Sequence, residues 1–561
     1  MDALSLDPDS LADAYARATA RLDQTRFSQA LWARQLDVWT SDADVRKKIA
    51  NRLGWLGVLD FVEPLIDRLT TFAASVRAAG FTDVVLLGMG GSSLAPEVMR
   101  QVLGVADGFP RFRMLDSTDP DAVRSAMRNA ATSLFIIASK SGTTIEPNVM
   151  AAEAQRRVVA AGHKDFGSRF IAITDEGTAL HRRAVSERFR EVFVNPADIG
   201  GRYSALSLFG MVPAALMGVD LARLLSQARE MEAACRSEAA AANPGLALGA
   251  LMAAGALNGR DKLTLLLPER LHSFGLWVEQ LVAESTGKQG KGIVPITGEP
   301  ESAQFGSDRV AVVVTLPDAS VDAARLLRVQ SAGLPAATLT MPDVTALGAE
   351  FLRWEIATAT AGLLLQINPF DEPNVQQAKD ATRTLLDGYT QQRRLPTPEA
   401  IASVGGARLT TSRAAEDARP GEPATSFLRQ IGQGDYFCLL AYVPPDEDRF
   451  AAPLAALRDG VASRFPCATM FGYGPRYLHS TGQLHKGGAN NGVFIVVTVE
   501  ADEDLAIPDQ PFSFGVLELA QGLGDYQSLE RTGRRALYVH LPRRDPALLG
   551  EVVDVLLAGA A

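Results

Sequence analysis

The stretch Ile136-Ile137-Ala138-Ser139-Lys140-Ser141-Gly142-Thr143-Thr144-Ile145-Glu146-Pro147 passes from apolar residues straight into six positions that are all hydroxyl, ammonium or glycine. The apolar run reads as the end of a buried strand. Open α/β sheets place ligands at such strand ends. The hydroxyls of Ser139, Ser141, Thr143 and Thr144 donate hydrogen bonds, Lys140 adds a charge and Gly142 permits a sharp turn. A phosphate monoester, with several acceptor oxygens, suits that set. The competing reading is a chain-reversing polar loop.

A second loop of the same kind lies upstream, in VVLLGMGGSSLAPEVM (Val84–Met99). A strand runs into Gly88, Gly90, Gly91, Ser92 and Ser93 and then into a helical pattern. Glycines let backbone N–H groups approach an anion at a helix N-terminus. The spacing nearly matches the dinucleotide pattern G-x-G-x-x-G, but Ser93 stands where the third glycine belongs. No G-K-[ST] follows, which excludes a P-loop.

Outward from these loops the chain alternates. Short β-branched runs occur at Asp83–Gly88, Leu134–Ser139, Arg169–Thr174 and Glu191–Pro196, with helical stretches between them. A second series runs through Lys262–Pro268, Arg309–Leu316 and Ala336–Met341. Such alternation predicts α/β units with parallel sheets. The expected organisation is an N-terminal helical segment (1–80), a first unit with the phosphate loops (81–235), a second unit (236–386), a linker (387–425) and a C-terminal α/β segment (426–561). The linker reading rests on the Arg, Pro and Thr of QQRRLPTPEA and on DARPGEPATS.

Composition narrows the function classes. Among 561 residues, 55 basic and 65 acidic side chains leave a net charge of -10, which argues against nucleic acid or an anionic membrane as the main partner. The three cysteines, Cys235, Cys438 and Cys467, are odd in number and far apart, so neither a disulfide framework nor a zinc cluster is indicated. The acidic start MDALSLDPDS has no apolar signal-peptide core. A cytoplasmic protein without a metal or cofactor is the expectation.

SKSGTT after a strand, paired with GMGGSS, resembles the sugar-isomerase (SIS) domain, a doubly wound module that grips sugar phosphates. Further on, GGRYSALSLFGMVPAAL (Gly200–Leu216), WVEQLVAESTGKQGKG (Trp277–Gly292) and INPFDEPNVQQAK (Ile367–Lys379) resemble the glucose-6-phosphate isomerases. GYGPRYLHSTGQLHKGGANNGVF (Gly472–Phe494) resembles the isomerase half of transaldolase/glucose-6-phosphate isomerase fusion proteins. The resemblance implies two SIS-type doubly wound parallel-sheet domains and aldose–ketose isomerisation through a cis-enediolate.

It also implies roles. Glu284 is the base that shuttles a proton between C2 and C1, with Gln280 one turn earlier on the same helix face touching the sugar or phosphate. Arg202 stabilises the enediolate, and Lys379 assists ring opening. Gly91, Ser92, Ser139, Lys140, Ser141, Thr143 and Thr144 hold the phosphate. Two departures from the family pattern stand out. Glu372 occupies a position where many of these isomerases carry Gln. The stretch ESAQFGSDRVAVVVTLPD, where the family places a ring-opening histidine, contains none. His485, with His479 as second choice, is therefore the expected proton relay, since imidazole titrates near neutrality. The alternative function is a non-catalytic sugar-phosphate-binding regulator. The family also suggests a homodimer and a functional link to a separate transaldolase.

Overall fold

The structure, a computed structural model, describes residues 3–445 and 449–560. Three sheets organise it. The first has five parallel strands in the order Arg111–Leu115, Asp83–Gly88, Ser133–Ala138, Phe170–Asp175 and Glu191–Asn195. The strand order reverses direction around Asp83–Gly88 and Ser133–Ala138. The glycine loop and the hydroxyl loop therefore emerge side by side at the carboxyl ends of neighbouring strands, where doubly wound sheets open a crevice.

The strand sequences explain why this sheet lies in the interior. Val84, Leu86, Leu134 and Ile136 pack into one apolar core, while Val85, Leu87, Phe135 and Ile137 pack into another. Alternate side chains point to opposite faces. Both faces are covered, so the strands read as continuous apolar runs, as parallel strands do.

The second sheet runs Ala3–Asp7, Ala336–Thr340, Arg309–Thr315, Lys262–Leu266, Val294–Ile296. Its first strand pairs antiparallel with Ala336–Thr340, so the segment expected to be only helical donates an edge strand to a distant unit. The third sheet runs Ala402–Val404, Ala407–Thr411, Arg535–Leu541, Gly492–Val499, Tyr436–Tyr442, Ala468–Tyr473. Its first two strands lie inside the region expected to be a linker, which is thereby corrected. Their alternating burial and short, polar sequences (ASV, ARLTT) give little apolar signal; pairing with Arg535–Leu541 is what makes them strands.

The helix His272–Thr286 lies where the three units meet. It packs on the helix Leu94–Val102 of the first unit, on Leu347–Leu364 of the second and on the short helix Gly482–Gly487 of the third. All of its residues except His272 and Leu276 are buried. Enclosure of that extent fixes the polar groups that the helix carries, Glu279, Gln280 and Glu284 among them.

Candidate active site

A cleft of about 540 Å³ opens at the carboxyl ends of the first sheet. The glycine loop, the hydroxyl loop, the turn Gly201–Tyr203, the buried helix and a loop of the third unit wall it. Ser139 and Glu284 line the same cleft, as a hexose phosphate held at both ends requires. Gly91, Ser92, Ser141, Thr144, Gln280, Arg202 and Lys379 line it as well.

The glycine loop is shaped by contact. A Cβ on Gly91 would lie 2.0 Å from the Gly201 carbonyl oxygen, so only glycine lets this loop abut the turn that carries Arg202. Gly142 has φ +67°, the left-handed backbone that turns the hydroxyl loop back on itself. Its N–H donates to Ser139 Oγ at 3.1 Å, and the helix Ile145–Ala160 begins directly afterwards. Thr144 and Pro147 at that helix terminus line the cleft, and Thr144 makes no side-chain cap; the N–H groups of a helix's first turn lack intrahelical partners and suit an anion.

Two members of the expected phosphate set are placed differently from the rest. Lys140 lines the cleft, but its ammonium is engaged by Asp175 at 2.5 Å and by the Ala197 carbonyl at 2.6 Å. Thr143 lines an adjoining chamber of about 370 Å³, sharing Thr144, Lys379 and His479 with the cleft. Arg52, which sequence reasoning missed, reaches the wall beside Lys140 and Asp175. It comes from the N-terminal segment, with no motif around it to announce it.

At the other end, Arg202 is locked in place. Its Nε donates to Ser285 Oγ at 2.8 Å, and its Nη2 donates to the carbonyls of Pro369 and Asp371 at 2.8 and 2.9 Å. Nη1 pairs with Glu372 at 3.0 Å and stands 3.6 Å from Glu284. Burial pushes the Glu284 carboxyl up; the Arg202 charge pulls it down and the Glu372 charge pushes it up again, leaving it above the usual carboxylate range. Gln280 donates to Glu284 at 3.3 Å and to the His479 carbonyl at 2.8 Å.

The histidines divide sharply. His479 lines the cleft, and its Nε2 lies 3.0 Å from Glu146 Oε1. Glu146 is fully buried and also accepts from Gln521 at 2.7 Å, whose own amide oxygen accepts from Thr118 at 2.7 Å. Burial pushes the Glu146 carboxyl up, but the charge and hydrogen bond of His479 outweigh it and hold it below the ordinary range. His485, the first choice from sequence, lies elsewhere. It is 1% exposed, with Nδ1 3.2 Å from Tyr436 Oη and Nε2 3.6 Å from Cys438 Sγ. Burial pushes its pKa well below the normal imidazole value. It does not line the cleft, and the expectation for it is corrected. Lys379 stands exposed at the rim, between cleft and chamber, where its charge acts on Glu146.

Among the described residues no group of three or more His, Cys, Asp or Glu side chains could hold a metal ion, and no helix is long and apolar enough to cross a membrane.

Residues 57–293 match the family model described as phosphoglucose isomerase. A glucose-6-phosphate isomerase of Trichormus variabilis is 28% identical over 429 residues, covering 68% of this chain and 79% of that protein. One from Prochlorococcus marinus is 29% identical over 381 residues, covering 59% and 69%. Among solved structures, a hypothetical protein of Thermus thermophilus superposes with a TM-score of 0.57 at 24% identity, over 68% of this chain and 99% of that one. A glucose-6-phosphate isomerase of Chlamydia trachomatis gives 0.50 at 21%, over 65% and 78%. These structural likenesses speak for the fold.

Proposed function

We propose that this chain, a member of the glucose-6-phosphate isomerase family, interconverts glucose 6-phosphate and fructose 6-phosphate through a cis-enediolate. The observation that carries the reading is the cleft itself: a hydroxyl- and amide-lined pole beside Ser139 and a buried carboxylate–guanidinium pole at Glu284 and Arg202, in one cavity.

The hydroxyls of Ser139, Ser141 and Thr144, with Gly91 and Ser92 opposite, hold the phosphate. Glu284 takes the C2 proton of the open-chain sugar and returns it to C1. Its raised pKa makes it a stronger base than an exposed carboxylate, while the neighbouring Arg202 charge favours its ionised form. The Arg202 guanidinium, immobilised by Ser285, Pro369, Asp371 and Glu372, faces the oxygen on which enediolate charge develops. A fixed cation there favours the transition state over the ground state. For ring opening, the geometry favours His479: Glu146 on one nitrogen leaves the other to exchange a proton with the ring oxygen or the C1 hydroxyl, with Lys379 alongside. That His–carboxylate arrangement fixes the ring orientation.

Glu284→Gln tests the reading. A coupled assay in either direction should show kcat reduced by at least ~10³-fold, the upper range for loss of a general base, with phosphate-dependent binding retained. Turnover close to the parent would remove Glu284 from its role; binding without turnover in the parent itself would favour a sugar-phosphate-binding regulator.

The Gly472–Phe494 segment supports the finer reading that the chain is of the type found joined to transaldolase, acting in the cytoplasm alongside a separate transaldolase. His479 reaches the cleft from its own chain, which supports a protomer that needs no partner residue at this site. Light scattering at assay concentration should then show full specific activity at the mass of one chain, and activity that rises with a monomer–dimer transition would favour the homodimer.

A further inference from the structure

Glu372 adds a further carboxylate to a site whose reaction calls for one base. Its side chain lies in the cleft wall, 38% exposed, and pairs with Arg202 at 3.0 Å, against 3.6 Å from Arg202 to Glu284. The other donors of the guanidinium are directed elsewhere: Nε to Ser285, Nη2 to the carbonyls of Pro369 and Asp371. Arg202 thus has one face, Nη1, turned toward the cleft, and two carboxylates compete for it.

We propose that Glu372 is a positioning residue that draws the Arg202 charge away from Glu284, so that the base stays strong and only loosely paired until substrate arrives. This rests on the isomerase reading and deepens it. A carboxylate in a close, hydrogen-bonded pair with a guanidinium is a weak base, because the pairing stabilises its ionised form. At 3.6 Å from Nη1, Glu284 makes the looser of the two contacts, and burial and the Glu372 charge act against the lowering that Arg202 exerts on it. The same separation leaves an Nη1 proton for a substrate oxygen lying between Arg202 and Glu284. The segment Asn368–Glu372 holds this arrangement rigidly: Lys288, 2% exposed, pairs with Asp371 at 2.9 Å and donates to the Asn368 carbonyl at 2.8 Å.

The charged groups facing Glu284 are Arg202 from the glycine turn, Glu372 from this segment, Lys288 from the loop after the buried helix and His479 from the third unit. Of these, Glu372 is the one like charge. Replacing it by the isosteric amide keeps a hydrogen-bond acceptor for Nη1 and removes the charge. Glu284 should then come under the undivided influence of Arg202 and ionise at lower pH.

The test is Glu372→Gln, read two ways. In kcat/KM against pH, the acid limb should move down by about one pH unit, as expected for loss of one charge at close range in a partly shielded site. The plateau kcat should fall several-fold through the weaker base, with KM nearly unchanged. Independently, 13C-carboxyl-labelled glutamate, with the Glu284 signal identified by its absence in Glu284→Gln, should show the same downward shift of its titration. A thermal melt coincident with the parent checks folding. If the parent turns over but both profiles superimpose on those of the variant, the assignment to Glu372 is overturned. If the parent does not isomerise, the proposed function fails, while the labelled titration still reports whether Glu372 governs Glu284.

Discussion

His479 and His485 are six residues apart on one segment of the third unit, and they occupy opposite electrostatic worlds. His479 points into a cleft open to solvent and faces a carboxylate. His485 is enclosed by Tyr436, Phe494 and Cys438, next to the Lys486–Asp525 ion pair at 2.5 Å. The surrounding sequence, LHSTGQLHKGG, treats them alike: each follows a leucine, and each has glycine and hydroxyl residues near. What separates them is tertiary. The short helix Gly482–Gly487 carries His485 inward, while the turn Arg476–His479 delivers His479 to the Gly90 backbone, where its carbonyl would meet a Cβ at 2.6 Å. A reactive imidazole is recognised by its neighbours in space, and those neighbours come from the other two units.

The largest effect expected of this pair is on His479. His479→Ala should slow turnover of the cyclic substrate by about 10²–10³-fold, the usual contribution of a positioned acid–base group. A substrate analogue that cannot close its ring should be affected by no more than a few-fold, since enolisation is assigned to Glu284. Equal losses on both substrates would take ring opening away from His479. Glu146 should share the phenotype in weaker form, because its part is to orient the imidazole.

The contrast also explains what the sequence alone makes legible. The three inner strands of the first sheet are readable because they are continuous apolar runs, and its two ligand loops each carry their chemistry within a short stretch, whereas the edge strand Arg111–Leu115, with two arginines and partial exposure, has no such run. Glu284 and Arg202 are readable only through the family resemblance, since a glutamate late in a helix and an arginine in a glycine turn have no local distinction. Arg52 and Gln521 are invisible: they enter the site from segments remote in the chain, through packing of the first unit against its neighbours. Glu146 sits in the deciding stretch itself and still escapes notice, because an acid in the first turn of a helix is an ordinary placement that the helix dipole favours. The edge strand Ala402–Val404 and its neighbour Ala407–Thr411 are hidden for another reason: short strands half open to water need no apolar run, only a partner.

The smaller prediction concerns His485 and has the opposite signature. Replacement by Gln should leave kcat and KM unchanged and alter only stability. The packing and the contact with Tyr436 Oη point to a loss of about 1–3 kcal/mol at neutral pH, typical of a buried polar group deprived of its partner. The pH dependence sharpens the comparison. Burial, assisted by the charges of Lys486 and Arg534, holds the folded-state pKa of His485 well below 6.5. The unfolded chain, with an ordinary imidazole, therefore binds the extra proton first, and the parent loses stability as pH falls below about 6.5. That slope, at most about 1.4 kcal/mol per pH unit for one group, should be missing in the variant, so the two denaturation midpoints converge as the pH is lowered. A variant whose stability keeps the parent's acid slope would take that slope away from His485, and one whose turnover falls with His479→Ala's selectivity for cyclic substrate would place His485 back among the groups that touch the reaction.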